Sequence, residues 1–228
     1  MATGIVRTTS YDTATDGTPV AEFAVNKRKE LIVIDFWTQL MLEGRMFHIQ
    51  AGAESAPIDC TLSPDDELAW MLLDTSVGTT TIPTYIDVWI STCANTAETV
   101  EGIVEIDRAK NRYVSDGGAF VPENMRSDRP RVSTGAAYVG TDIIAAVKTA
   151  VPGSMEIARV SYFETTPTAT NEPCDFIMNA PRLYSVLDRP PVAVVGVGSI
   201  ITHFGCGTEV TKAYGLMEWA ELPTSAVV

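Results

Sequence analysis

Alternation of apolar and polar residues is clearest in IPTYIDVWIS, which runs from Ile82 to Ser91. In an extended chain one side carries Ile82, Thr84, Ile86, Val88 and Ile90, and the other carries Tyr85, Asp87, Trp89 and Ser91. A helix would scatter each set around its circumference. The period of two therefore predicts a β-strand whose Ile86 side faces a core, with Pro83 at the start of the strand.

The same pattern predicts further strands along the chain. In TVEGIVEID (Thr99–Asp107) three apolar residues alternate with Glu101, Glu105 and Asp107, so these acids are expected on one solvated face. The other predicted strands are Leu31–Trp37, Gly44–Ala53, Met155–Glu164, Pro190–Gly205 and Ala213–Leu222. Imperfect alternation in Met155–Glu164 signals a β-bulge.

Helix signals are weaker than strand signals. In SPDDELAWMLL, Ser63 suits an N-cap and Pro64 the first helical position, which predicts a short helix. The segment Thr141–Gly153 fits either a short helix or a strand. The sequence therefore contains few helices and many strands.

Eight or nine strands joined by long polar loops predict an all-β sandwich, and a jelly roll suits that strand number and a length of 228 residues. Residues 1–25 are rich in Thr, Ser, Asp and Gly, so we expect an extended N-terminal arm there. Residues 26–228 are expected to form a single β-sandwich domain.

The charge of the chain is strongly negative. Sixteen Lys and Arg against 29 Asp and Glu give a net charge of −13, so we expect no binding of free nucleic acid. Eleven acids and no Lys or Arg lie between Met46 and Asp107, which predicts a negative face. The N-terminus lacks an apolar signal-peptide core and no apolar run suits a bilayer. We therefore expect no membrane association, and a soluble protein made in a reducing cytoplasm with free thiols.

Residues that could support catalysis or metal binding are few. His48 and His203 are the two histidines of the chain, which excludes a three-histidine metal site, and neither has a second histidine close in sequence. The stretch GVGSII begins like a dinucleotide fingerprint but has Ile201 where the third glycine belongs, so close strand packing explains its glycines better. We predict no catalytic residue, no metal and no cofactor, and hence no enzyme.

Three arginines stand out in PENMRSDRPR. Arg126, Arg129 and Arg131 lie within six residues of an otherwise acidic chain. One interpretation is a solvated loop. The other is an interface loop that engages acidic surface on a neighbouring subunit, because Arg pairs well with carboxylates. These arginines are the predicted interface residues.

Three segments resemble small virion proteins of tailed bacteriophages. Gly198–Pro223 is similar to their C-terminal strand pair, whose final strand carries Trp-x-Glu, here Trp219-Ala220-Glu221. Val77–Ile90 resembles their Gly-Thr-Thr-x-Ile-Pro turn and strand, and Asn124–Gly135 is similar more loosely. The resemblance implies a jelly-roll protein of a virus particle, of a kind that often forms trimers.

The function expected from this resemblance is a capsid decoration (cement) protein or minor capsid protein. Its partners would be further copies of itself, as a trimer, and the major capsid protein or neighbouring virion subunits. An acidic surface suits the outside of a capsid better than its DNA-facing lining.

Three alternatives remain open. One is a major capsid protein with a single jelly roll. Another is a β-sandwich module that binds a receptor or carbohydrate, which exposure of Trp37, Trp70 or Trp89 would support. The third is a cupin-type enzyme, which metal analysis would reveal.

Overall fold

The computed structural model describes residues 3–6, 12–13, 19–20, 23–24, 32–33, 35–60, 68–92, 99–128, 131–145, 154–163, 182–205 and 211–226. The chain divides into two compact units, Met1–Glu43 and Gly44–Val228. The predicted boundary between residues 25 and 26 falls outside the described residues and stays a prediction.

Where the structure describes the first unit, it contains short strands and one helix. The strands are β1 (Thr3–Val6), β2 (Asp12–Thr13), β3 (Pro19–Val20), β4 (Phe23–Ala24) and β5 (Ile32–Val33), and the helix is α1 (Phe36–Leu42). Strand β1 pairs with β4 and β5, and β2 pairs with β3.

A single predicted strand over Leu31–Trp37 was wrong in its second half, because α1 begins at Phe36. The Asp35 side chain caps this helix by accepting a hydrogen bond of 3.0 Å from the Thr38 amide. An N-cap of this kind satisfies an amide that has no partner within the helix. The apolar run is therefore divided at Asp35. This residue is an N-cap signal, which the apolar residues on either side of it concealed.

The described residues of the second unit form a β-sandwich with fourteen strands. They are β6 (Met46–Ala51), β7 (Ile58–Cys60), β8 (Leu68–Thr75), β9 (Thr79–Thr92), β10 (Thr99–Asp107), β11 (Tyr113–Ser115), β12 (Gly118–Phe120), β13 (Glu123–Asn124), β14 (Ala136–Ala145), β15 (Ser154–Phe163), β16 (Tyr184–Ser185), β17 (Val194–Val195), β18 (Gly198–Gly205) and β19 (Thr211–Pro223). A 3₁₀ helix at Thr224–Ala226 follows the last strand.

Two antiparallel sheets make up this unit, which confirms the predicted all-β class. The first sheet has the order β11-β14-β8-β18-β10-β15, and β12 also pairs with β14. The second has the order β13-β6-β19-β9-β16, with β7 beside β19 and β17 beside β9. The long central strands β9 and β19 pair over almost their whole length, from Thr79 opposite Pro223 to Thr92 opposite Lys212.

The main core takes side chains from both sheets. Ile86 is fully buried, as its alternation predicted, and Phe47, Met217 and Trp219 belong to the same cluster. From the other sheet Trp70 reaches so close to Gly215 that a Cβ there would stand 2.8 Å from the indole ring. Contact this close explains why β19 carries a glycine at that position.

Pro83 lies inside β9 rather than at its start. The strand begins at Thr79, and Pro83 stands opposite Trp219 where the register of β9 and β19 shifts. Proline has no N–H to donate, and a β-bulge interrupts the ladder of hydrogen bonds. A bulge therefore accommodates a residue that otherwise belongs at a strand end.

Three other sequence predictions have mixed outcomes. The helix expected in SPDDELAWMLL is wrong from Leu68 onward, where β8 begins, and residues 61–67 lie outside the described part. The predicted bulge in β15 is confirmed, since the pairing with β10 skips Ile157. For Thr141–Gly153, the described residues belong to β14, which favours the strand alternative there.

Candidate interface around Glu221

The Glu221 carboxylate, near the end of β19, accepts four hydrogen bonds from within the chain. Its Oε1 accepts from the Trp219 indole Nε1 (3.0 Å) and from the Ser133 hydroxyl (2.5 Å). Its Oε2 accepts from the amide and the hydroxyl of Thr134, both at 2.9 Å. These donors compensate for the burial of its charge, so Glu221 connects β19 to residues 133–134. We call these four hydrogen bonds the Glu221 joint.

The turn between β8 and β9 joins the same place. The Ser76 hydroxyl donates to the Thr134 carbonyl at 2.5 Å. The Thr134 hydroxyl, which donates to Glu221, lies 3.1 Å from the Thr79 hydroxyl and can accept a hydrogen bond from it. The Thr224 amide donates to the Gly78 carbonyl at 2.9 Å. Gly78 has a φ of 81°, a conformation that glycine adopts without strain. The three segments on which the virion resemblance rests therefore meet around one carboxylate.

Short strand β13 positions the start of the arginine segment. Asn124 pairs with Phe47 of β6, and its side-chain amide donates to the carbonyls of Gly44 (2.9 Å) and Arg131 (3.1 Å). One asparagine thereby fixes both ends of the segment 124–131. Residues 124 and 131 are consequently held together beside β6, at the edge of the second sheet.

The structure places the three predicted interface residues in different situations. The Arg126 guanidinium is paired within its own loop, with its Nε 2.5 Å from Asp128 Oδ1 and its second nitrogen 2.9 Å from Oδ2. That carboxylate raises the pKa of Arg126 above its ordinary value. Arg129 lies outside the described residues. Arg131 is exposed and lines a cleft.

This cleft of about 200 Å³ opens beside Glu221. Its described lining comprises Arg45, Phe47, Gly78, Thr79, Arg131, Val132, Thr134, Glu221, Leu222 and Pro223. Two of these residues are basic and one is acidic. An anionic group that enters the cleft would therefore meet guanidinium groups and apolar walls.

Large apolar side chains are exposed along the insert between β10 and β14. They are Val114, Phe120, Val121, Met125 and Val132. Protein interfaces are enriched in Met, aromatic residues and Arg, and contiguous exposed apolar surface marks interaction sites. Sequence analysis identified the arginines of this insert but missed its apolar residues, which no strand pattern accompanies.

The prediction that Glu101, Glu105 and Asp107 share a solvated face was wrong for two of the three. Glu101 is partly exposed and forms a salt bridge of 2.7 Å with Arg159. Glu105 and Asp107 are buried, with 2% and 0% exposure. Both faces of β10 are covered at this end of the strand, so alternation could not reveal which face meets solvent.

A buried ionic network explains how Asp107 is accommodated. Its Oδ2 lies 2.8 Å from Nε of Arg112, which is also buried, and its Oδ1 accepts from the amides of Ala109 and Lys110. The Arg112 amide and the Ser199 hydroxyl both donate to Asp74. Burial raises the pKa of the Asp74 carboxyl, and these hydrogen bonds oppose the rise. Because Asp74, Glu105 and Asp107 are buried, these three acids do not contribute to the predicted negative face.

The two histidines and the glycines of GVGSII are the residues that a metal site or a dinucleotide site would use. His48 stands between Glu123 and Glu218 across three neighbouring strands, with its Nε2 3.2 Å from Glu123. His203 is buried. In the described part of the chain no three His, Cys, Asp or Glu side chains are arranged to hold a metal ion. A Cβ at Gly198 would lie 2.3 Å from the Asp107 carbonyl oxygen, so close packing does account for that glycine. It does not account for Gly196, which has open space beside it and a φ of 75°, a conformation that favours glycine.

The tryptophans named as possible ligand contacts differ in exposure. Trp70 is buried, whereas Trp89 is 40% exposed on the outer face of the second sheet. The Trp89 ring stacks on Tyr214, with ring centroids 5.4 Å apart and planes inclined by 16°. Trp37 is partly exposed in the first unit. Of these three tryptophans, Trp89 is therefore the most exposed.

Comparison with known proteins adds no family. No family model matches the chain, and no curated protein matches it. Among the described helices, none has the length and apolar character that crossing a bilayer requires.

Proposed function

We propose that this protein is a structural component of a virus particle, a capsid decoration (cement) or minor capsid protein on a phage head. The observation that carries the proposal is the strand order of the second unit. A jelly roll is a hairpin of eight strands rolled up so that the first strand pairs with the eighth and the second with the seventh, and so on inward.

The pairing of this chain fits that nested scheme, and we propose that the sandwich is a jelly roll. With β6, β8, β9, β10, β15, β16, β18 and β19 as the eight strands, the pairs are β6 with β19, β8 with β18, β9 with β16 and β10 with β15. Strand β16 is short, and β14 is an addition outside β8 that belongs to the insert after β10. The insert thus lies beside the roll without disturbing its order.

The candidate interface supports a structural rather than catalytic role. Residues of all three virion-like segments are tied together around Glu221, and exposed apolar residues accompany the arginines of the insert. A surface that combines arginine with exposed valine and phenylalanine has the composition of protein interfaces. We propose that it contacts neighbouring virion subunits, as homotrimers docked on the major capsid protein. The net charge of −13 favours the outer surface of the capsid.

Particle purification tests this function. Virions purified from the source phage should contain the protein in a fixed copy number relative to the major capsid protein, and imaging should place it on the outer surface. Absence of the protein from purified particles would refute the proposal. If the protein itself forms the shell, at the copy number of the shell subunit, the alternative of a major capsid protein would be favoured.

A second candidate function is recognition of a receptor or carbohydrate, and one observation favours it. Trp89 and Tyr214 form a partly exposed aromatic surface on the second sheet, next to the outward-facing Asp87. Sugar rings can pack against aromatic faces, and carboxylates accept hydrogen bonds from hydroxyl groups. Glycan-array binding that Trp89→Ala abolishes would support this function in place of the first.

A further inference from the structure

Three valines lie exposed at one end of the sandwich, on three different loops. Val77 occupies the turn between β8 and β9, Val132 lies in the loop directly after the arginine segment, and Val195 is the last residue of β17, where the loop to β18 begins. Val77 and Val132 are 81% and 82% exposed. Loop tips ordinarily carry polar residues, so apolar tips on neighbouring loops mark a surface that meets another molecule.

Hydrogen bonds hold the three loops together. Ser76 ties the first loop to Thr134 of the second, and the Gly196 amide donates to the Thr79 carbonyl at 2.8 Å, which ties the third loop to β9. The Glu221 joint fixes Ser133, next to Val132. A preorganised surface loses little conformational entropy when it binds a partner. We define the valine end as Val77, Val132, Val195 and the adjoining cleft with Arg131.

We propose that the valine end docks on a second copy of this chain, at a carboxylate-bearing surface different from the valine end itself. This inference deepens the proposed function by naming the contact between copies. With a net charge of −13, two copies repel one another except where arginine meets carboxylate. The valine end offers the exposed Arg131, while Glu221, the acid in its described lining, is occupied by four hydrogen bonds.

Charge also determines the geometry of the contact. If two valine ends met face to face, Arg131 of one copy would approach Arg131 of the other, and like charges would oppose the contact. The valine end of each copy therefore meets a different surface of the next copy. Such a head-to-tail contact closes into a ring when its rotation divides a full turn, as in a trimer.

Self-association of the purified full chain tests the surface. Sedimentation velocity over a concentration series should show an oligomer for the parent protein. Val132→Asp, which places a charge on the valine end, should raise the dissociation constant by about tenfold or more. Leu187→Asp adds the same charge to an exposed apolar residue that lies outside both the insert and the valine end, and it should leave the constant within about twofold. Thermal melting of both variants checks that the fold is unchanged.

Mixing separates head-to-tail from face-to-face contact. In a sample of Val132→Asp protein every copy has a disrupted valine end. The surface that would receive the valine end of another copy is intact. Tagged Val132→Asp protein should therefore capture untagged parent protein while failing to capture untagged Val132→Asp. Failure to capture the parent would overturn the head-to-tail geometry.

Two further results would overturn the inference as a whole. They are a parent protein that stays monomeric at all concentrations, and a folded Val132→Asp variant that assembles like the parent. Either result leaves the particle test of the proposed function unaffected, because docking on a different capsid protein does not require contact between copies.

Discussion

The indole Nε1 of Trp219 donates a hydrogen bond of 3.0 Å to the Glu221 carboxylate, two residues further along β19. Side chains two apart share a face of a strand, so both point to the same side. Trp219 is fully buried and stacks on Phe47, with ring centroids 6.2 Å apart. The Trp-x-Glu sequence thereby links the core of the sandwich to the loop that carries the arginine segment.

Replacement of Glu221 should destabilise this link. Glu221→Ala leaves the Trp219 indole, the Thr134 amide and two hydroxyls without their acceptor. A lost acceptor for buried donors is costly, so we expect a loss of about 3 kcal/mol in the free energy of unfolding, measured by urea denaturation. The Thr134 amide should also exchange its hydrogen faster in the variant.

Two variants control this experiment. Glu221→Gln keeps one acceptor oxygen and should lose less stability than Glu221→Ala. Glu123→Gln removes an exposed carboxylate of β13 and should change stability by less than about 1 kcal/mol. Equal stability of Glu221→Ala and the parent would show that the four hydrogen bonds contribute nothing.

Local patterns account for what the sequence predicted well. The strands around Ile86 and Val104 follow from alternation within each segment, and the strand class of the fold follows from their number. Apart from Trp219, the donors to Glu221 are Ser133 and Thr134, almost ninety positions away, and no pattern along β19 indicates them. Alternation assigned Asp107 to solvent because it cannot show that a sheet is covered on both faces.

Ile86→Asp should abolish soluble folding. Ile86 is fully buried and stands opposite Met217 on β19. An unpaired carboxylate in that position costs several kcal/mol, a large share of the stability of an ordinary domain. Expression and thermal melting give the result, and Ile86→Val, which should cost about 0.5–1.5 kcal/mol, serves as the matched control. A soluble Ile86→Asp protein with a cooperative melt would contradict the assignment of this face to the core.

The buried pair of Asp107 and Arg112 gives a third prediction. Arg112→Met leaves the Asp107 carboxylate buried without its cation, and such a change costs about 3–5 kcal/mol. The double variant Asp107→Asn with Arg112→Met removes both charges, and Asn still offers an oxygen to the amides of Ala109 and Lys110. We therefore expect the double variant to be more stable than Arg112→Met alone. If the double variant were less stable than Arg112→Met, the attraction between Asp107 and Arg112 would not account for how their buried charges are accommodated.

Asp74 should make stability depend on pH in the acidic range. Burial raises the pKa of Asp74 above the ordinary value of 3.8, so the folded protein holds this proton more tightly than the unfolded chain. The resulting stabilisation is complete below that ordinary value and is lost as the pH rises through the folded-state pKa. The stability of the parent relative to Asp74→Asn, which cannot titrate, should fall as the pH rises from about 3 to about 7. Urea unfolding at each pH measures the difference, and an increase with pH would contradict the direction of the shift.

The arginine segment gives the last prediction. Replacing Arg126, Arg129 and Arg131 by Ser should leave the melting of the isolated protein unchanged and weaken its assembly, more at low salt than at high salt, because ions screen charge contacts. The single variants should differ. Arg126 is already paired with Asp128, so Arg126→Ser should weaken assembly less than Arg131→Ser, whose side chain is exposed at the cleft. Sedimentation at two salt concentrations compares all three proteins with the parent. If the triple variant assembles like the parent, the segment is a solvated loop.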